Sequence, residues 1–200
     1  MANTIIVVDQ ADQQLGDFFQ LCINDLNIFF NGTHIQPIIL NSGNLNDLSV
    51  KLTTQPLNTF VFSAYSHGRK NCLLNSNTPY VSTTVNNTCF QRSFFYTFSC
   101  SSGDELGDNL VKNGCLCFIG YNRVISIWST YLNPFVVCAN HGLKLFYNGI
   151  NTSQILTEMK NQYNMEIDSV YPKNYLISSI LRENRDALIL HGENIDIGNL

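Results

Sequence analysis

Charge is scarce in this chain. Only 13% of its 200 residues are Asp, Glu, Lys or Arg, and 15 acids against 11 bases leave a net charge of −4. Without a basic excess the sequence has nothing to draw it to a phosphate backbone or an anionic bilayer, so neither nucleic acid nor membrane is an expected partner. Long apolar runs are missing as well, none approaching the roughly 18–20 residues of a membrane span. The opening Met1-Ala2-Asn3, followed by Thr4-Ile5-Ile6-Val7-Val8, lacks the basic and long apolar regions of a secretion signal. A cytoplasmic location is therefore expected.

Several chemistries lack their signatures. There is no Gly-x-Ser-x-Gly elbow, no Gly-x-x-x-x-Gly-Lys phosphate loop, no His-Glu-x-x-His and no dinucleotide glycine set after the first apolar run. The 7 cysteines are odd in number and irregularly spaced, which argues for reduced, mostly buried thiols rather than a disulfide framework. Cys115-x-Cys117 has the same-face spacing of a strand rather than that of a zinc knuckle, and no second pair completes four ligands, so no metal or cofactor is expected. Asn-x-Ser/Thr sequons at Asn31, Asn86 and Asn151 carry no weight without a secretion signal.

What is present is a strand-then-helix rhythm. At 44% hydrophobic the chain can bury a substantial core, and a single domain over 1–200 is expected. Thr4 to Val8 is a short β-branched run, followed from Gln13 to Asn27 by apolar residues at helical spacing. Ile35 to Leu40 and Thr59 to Tyr65 read as further strands around a short helix at Leu45 to Leu52. A polar insertion from Arg69 to Arg92 is expected to hold a hairpin and a short helix.

Ser93 to Phe98 is a nearly continuous aromatic run, the pattern of a strand buried on both faces. Ser102 with Glu105 forms a capping-box signature for the next helix, which Asn113-Gly114 would end before a strand at Cys115 to Ile119. Helices at Phe135 to Tyr147, Ser153 to Tyr163 and Tyr175 to Asn184, then a strand at Ala187 to Leu190, complete the pattern. It predicts an α/β three-layer α/β/α sandwich with a mostly parallel sheet, whose functional groups gather at the carboxyl ends of the strands.

Two chemically capable residues stand at such ends: His67 after one strand and Cys100 after another. A cysteine nucleophile needs a thiolate, an imidazole to move protons and backbone donors for the oxyanion. A helix starting near Ser102 would place its positive end behind Cys100 and lower the thiol pKa, while Gly68 leaves room for a substrate carbonyl to approach the backbone.

Phe60-Val61-Phe62-Ser63-Ala64-Tyr65-Ser66-His67-Gly68 and Phe94-Phe95-Tyr96-Thr97-Phe98-Ser99-Cys100 together resemble the two signature blocks of caspase-like cysteine peptidases, clan CD. Ser99-Cys100-Ser101-Ser102-Gly103, then Phe118-Ile119-Gly120 and Trp128, resemble the CHAT and gingipain-like branch. Leu145-Phe146-Tyr147-Asn148-Gly149 resembles that branch's helix pair, and Leu190-His191-Gly192-Glu193-Asn194 its closing strand end, with Glu-Asn in place of Asp-Pro.

The resemblance runs from about Ile5 to the C-terminus. It implies a cysteine endopeptidase acting through a thioester acyl-enzyme, with Cys100 as nucleophile, His67 as proton shuttle and the amides of Gly68 and Cys100 as oxyanion donors. No third orienting residue is required in that clan. The implied substrate is a specific protein, with an activating or sensor partner, in bacterial antiviral defence or programmed cell death. Asp9 or Asp12 would line the pocket for the residue before the scissile bond and favour Lys or Arg, and Trp128 would wall it. A solvated loop carboxylate, or for Asp12 a helix cap, is the plainer reading of Asp9 and Asp12, and core packing is an equal reading of Trp128. His141 reads as structural and His191, at another strand end, as a rival to His67. The alternative function is an inactive caspase-fold module that binds a protein without turnover.

Overall fold

Apolar β-branched and aromatic runs form the strands of the main sheet, and amphipathic stretches between them form helices that lay their apolar faces on it. In the computed structural model, which describes residues 2–200, β1 (Asn3–Val8) leads through α1 (Gly16–Asn31), β2 (Ile38–Asn41) and α2 (Asp47–Thr54) to β3 (Phe60–Tyr65). The insertion holds β4 (His67–Arg69), β5 (Cys72–Asn75), β6 (Thr78–Ser82) and one 3₁₀ turn at Asn87–Phe90. Then come β7 (Ser93–Phe98), α3 (Glu105–Lys112) and β8 (Cys117–Tyr121). The chain closes with α4 (Asn133–Tyr147), α5 (Thr152–Val170), α6 (Tyr175–Ala187), β9 (Leu188–Gly192) and a 3₁₀ turn at Ile197–Asn199.

The main sheet has six strands in the order β2-β1-β3-β7-β8-β9. Its neighbours run parallel except β9, which is antiparallel to β8. The fold is thus an α/β three-layer α/β/α sandwich with a mostly parallel sheet. Strands carrying Val61 and Tyr96 are adjacent and parallel, as their buried apolar sequences require.

Alternation along each strand divides the core in two. Ile6, Val61, Tyr96 and Ile119 face α1, α4, α5 and α6, whereas Ile5, Phe62, Phe95 and Phe118 face α2, α3 and the β4–β6 arm. On the second face Phe62, Phe90 and Phe95 pack with ring centroids 4.9–5.0 Å apart. Each such buried ring contributes on the order of 1.5–3 kcal/mol through removal from water. On the first face a polar chain crosses the core: Tyr65 donates its hydroxyl to Asn140 Oδ1 at 2.7 Å. The Asn140 amide in turn donates to the Cys22 carbonyl at 2.8 Å and to Asp25 at 2.6 Å. One buried side chain thereby ties β3 and α1 to α4.

Four local expectations are corrected. The insertion is a three-stranded antiparallel sheet, β4-β5-β6, rather than one hairpin. Helix α5 runs past Tyr163 to Val170 because Ile167 and Val170 continue its buried face. Strand β8 begins at Cys117, so Cys115 lies in the turn ahead of it, where its N–H donates to the Leu110 carbonyl at 3.0 Å. Cys115 and Cys117 consequently pack on opposite faces of the sheet. No capping box forms at Ser102 and Glu105 either. Asp104 occupies the cap position without a side-chain bond, and Ser102 donates to the Ser99 carbonyl at 3.0 Å.

All seven cysteines are free. Among the described residues no helix is long and apolar enough to cross a membrane, and no group of three or more His, Cys, Asp or Glu could hold a metal ion.

Replacing Asn140 by Ala leaves the buried Tyr65 hydroxyl without its partner and removes the bonds to the Cys22 carbonyl and to Asp25, so Asn140→Ala should cost about 2–3 kcal/mol in urea unfolding. Tyr65→Phe removes one bond from the same chain and should cost about 1 kcal/mol.

Candidate active site

The carboxyl ends of β1, β3 and β7 lie side by side, because these are consecutive neighbours in the sheet. Tyr65 is paired in register with Val8 on one side and with Phe98 on the other. His67 and Cys100 each stand two residues beyond that common level, so they emerge at the same height from strands about 4.8 Å apart. Both line one cavity of about 290 Å³.

Gly68 brings the two connections into contact. A Cβ at this position would lie 2.6 Å from the Cys100 carbonyl oxygen and 3.2 Å from the Cys100 nitrogen. Only a residue without a side chain permits that approach. The Cys100 N–H donates to no backbone carbonyl among the described residues. The turn beyond it holds Ser101 at φ 54°, a left-handed conformation of the kind that costs a non-glycine residue on the order of 1 kcal/mol or more. Ser101 is kept there by its N–H bond to the Arg123 carbonyl at 2.9 Å and by the Asp104 N–H, which donates to the Ser101 carbonyl at 3.1 Å.

Asp12 completes the group. His67 Nε2 lies 3.0 Å from Asp12 Oδ2, while Asp12 Oδ1 accepts the N–H groups of Gln14 and Leu15 at 2.9 and 2.7 Å. Burial alone would raise the Asp12 pKa, but the amides of Leu15 and Gln14 and the imidazole together outweigh it, and the carboxyl titrates below its ordinary range. An ionised Asp12 fixes the proton on Nε2, so neutral His67 carries its basic lone pair on Nδ1. The ring also meets Phe19 edge-on at 6.3 Å.

The thiol departs from expectation. Burial pushes the Cys100 pKa up, only partly offset by backbone hydrogen bonds at Ile125 and at Cys100 itself. Sγ lies 3.5 Å from the Ile125 carbonyl, to which it donates. The anticipated helix field is absent because α3 starts at Glu105, and its first amides are already used. Glu105 and Leu106 donate to the Lys70 carbonyl at 3.1 and 2.7 Å, in the turn between β4 and β5. The Cys100 thiol pKa is thus raised rather than lowered.

Other expected site residues fall elsewhere. Asp9 is fully buried, accepting from Ser42 Oγ and from the Ser76 N–H, each at 2.8 Å. It staples the end of β1 to the β5–β6 turn and lines neither cavity beside His67. Asp12 serves as both loop cap and imidazole partner rather than as a free carboxylate for Lys or Arg. Trp128 lines a separate cavity with Tyr131, Val170 and Ile177. His191 is engaged with the Gly103 carbonyl at 2.6 Å, away from Cys100, and His141 lies on α4, where burial lowers its pKa.

Sequence reasoning missed the wall opposite α1, an extended strap containing Ile125, Ser126 and Ile127. Asn184 on α6, 1% exposed, grips both sides of the Ser126 peptide, accepting from its N–H at 3.0 Å and donating to its carbonyl at 2.7 Å. The available signal was an Asn placed at helical spacing from Ile177 and Leu181 on a buried face. Similarity adds nothing to this geometry: no family model matches the chain, and a search of curated proteins returned no relative.

Gly68→Ala should force the Cys100 backbone to move and cost about 1–3 kcal/mol, measured by urea unfolding. Asp12→Asn should lower stability at neutral pH. Because the folded pKa of Asp12 lies below its unfolded value, its contribution is complete above about pH 4 and is lost as pH falls through the folded value. The difference between wild type and variant should accordingly shrink on acidification below pH ~4.

Proposed function

We propose that the chain is a cysteine endopeptidase of the caspase-like type, in its CHAT and gingipain-like branch. One observation carries the reading: His67 and Cys100 leave adjacent parallel strands at one level and share a cavity. Asp12 as the partner of His67 Nε2 supports it further.

In this mechanism the Cys100 thiol gives its proton to the imidazole and the sulfur attacks the scissile carbonyl. The oxyanion of the tetrahedral intermediate is met by the Cys100 N–H, with the Gly68 amide as second donor. On collapse the C–N bond breaks, His67 returns the proton to the leaving amine, and a thioester remains on Cys100. Water, deprotonated by His67, attacks the thioester; the C–S bond breaks and the thiol is restored. Ionised Asp12 holds the imidazole in one tautomer and stabilises its protonated form, so it acts as a positioning residue.

The proposed substrate is a protein, and seven free thiols fit a reducing, cytoplasmic location. The raised thiol pKa and its bond to Ile125 support control by an activating or sensor protein, in the defence or programmed-death role that the resemblance implies. The same two features favour a second reading, an inactive partner-binding module.

Cys100→Ala and His67→Ala should each reduce cleavage on the order of a thousandfold or more, with the double variant little worse than either. Iodoacetamide labelling of Cys100 should keep rising with pH through 8–9, since its thiol is raised rather than lowered. Intact cleavage in His67→Ala would reject the peptidase reading in favour of the module.

A further inference from the structure

His67 stands between two cavities of different character. One, about 290 Å³, touches Cys100; the other, about 630 Å³, holds Asp12, Arg69 and Asn77 and does not include Cys100. In acyl transfer the carbonyl carbon bonds to sulfur while the leaving amine takes its proton from the imidazole. The cavity at Cys100 is therefore assigned to the acyl side of the scissile bond.

The acyl-side cavity contains no Asp, Glu, Lys or Arg. Leu15 and Phe19 of the α1 end, Phe98 at the end of β7, and Ile125 and Ile127 of the strap supply its apolar walls. Its volume lies at the lower end of the roughly 300–1,000 Å³ of ligand pockets, which suits one side chain rather than a whole small molecule. A charged side chain entering it would be desolvated without an opposite charge to meet it, and such burial is costly. Both carboxylates near the site are committed elsewhere, Asp9 to Ser42 and Ser76 and Asp12 to His67. The walls are also fixed, since Asn184 holds Ser126 by both sides of its peptide.

We infer that this cavity is the specificity pocket and that it selects an uncharged, apolar residue immediately before the scissile bond, such as Leu, Met or Phe, against Lys, Arg, Asp and Glu. The inference rests on the peptidase reading for the direction of the substrate. Pocket selectivity itself needs only a reactive Cys100.

Peptidyl acyloxymethyl ketones separate the two claims, because they alkylate a thiolate by displacing a carboxylate and require no turnover. With Leu, Met or Phe next to the ketone, Cys100 should be labelled at least thirtyfold faster than with Lys, Arg, Asp or Glu, as read by intact mass. Ser126 is exposed at the cavity rim, so Ser126→Asp should raise the relative rate of the Lys and Arg probes at least tenfold. Gln14→Glu, also at an exposed lining position, provides a second variant with the same expected direction. Equal or faster labelling by charged probes, or unchanged selectivity in both variants, overturns the pocket assignment. Selective labelling by apolar probes without hydrolysis of any peptide in a library supports the pocket and removes the peptidase reading. Hydrolysis after charged residues does the reverse.

Discussion

Three neighbouring parallel strands that end at one level are the constraint on which the site depends. Parallel neighbours cannot be joined by a tight turn, so each of β1, β3 and β7 must release its chain at the same edge of the sheet. Hydrogen bonding then sets the spacing of whatever follows. The backbone ladder, rather than any contact between the side chains, brings His67 level with Cys100, and Gly68 lets their connections touch. Because β1 lies on the other side of β3, the loop carrying Asp12 arrives behind the imidazole. The order Asp12, His67, Cys100 across the site repeats the order of the strands beneath it.

Electrostatics divides the work unevenly along that row. Asp12 is held ionised by two amides and the imidazole, whereas Cys100 sits against apolar walls that favour the neutral thiol. Neither a helix terminus nor a fixed cation lowers the sulfur's pKa. Under the peptidase reading, the cost of making a thiolate is met at the moment of reaction by the oriented base, in a site where the alternative partner of Sγ is the Ile125 carbonyl. A resting thiol of this kind is a weak nucleophile toward stray electrophiles.

Most of the sheet was legible because buried strands leave a direct mark in the sequence: Phe60 to Tyr65 and Ser93 to Phe98 are fully buried, and both read as strands, the second as one buried on both faces. Their following residues were legible for the same reason. What stayed hidden was decided by chain segments remote in sequence. The Ser102 and Glu105 pattern is compatible with a capping box, yet the Lys70 carbonyl reached the helix amides first. Asp9 and Asp12 differ by three residues and look interchangeable; only the positions of the β5–β6 turn and of His67 separate a buried staple from a carboxylate bonded to the imidazole. The thiol's environment comes from a strap some 25 residues beyond it, and that strap is held from α6. Neither link has a local sequence signature.

The attachment of the strap by Asn184 has a consequence for how such a molecule can diversify. His67 and Cys100 are carried by strand ends, where a change of register would disturb the whole sheet. One wall of the cavity, by contrast, is a segment fastened through the N–H and carbonyl of Ser126 to one amide side chain. A change around Ile125 to Ile127 would therefore leave the strand ends in place, yet alter the cavity wall and the carbonyl that meets Sγ together. Wall and thiol surroundings thus form one replaceable unit, with Asn184 as the anchor that such a replacement has to keep.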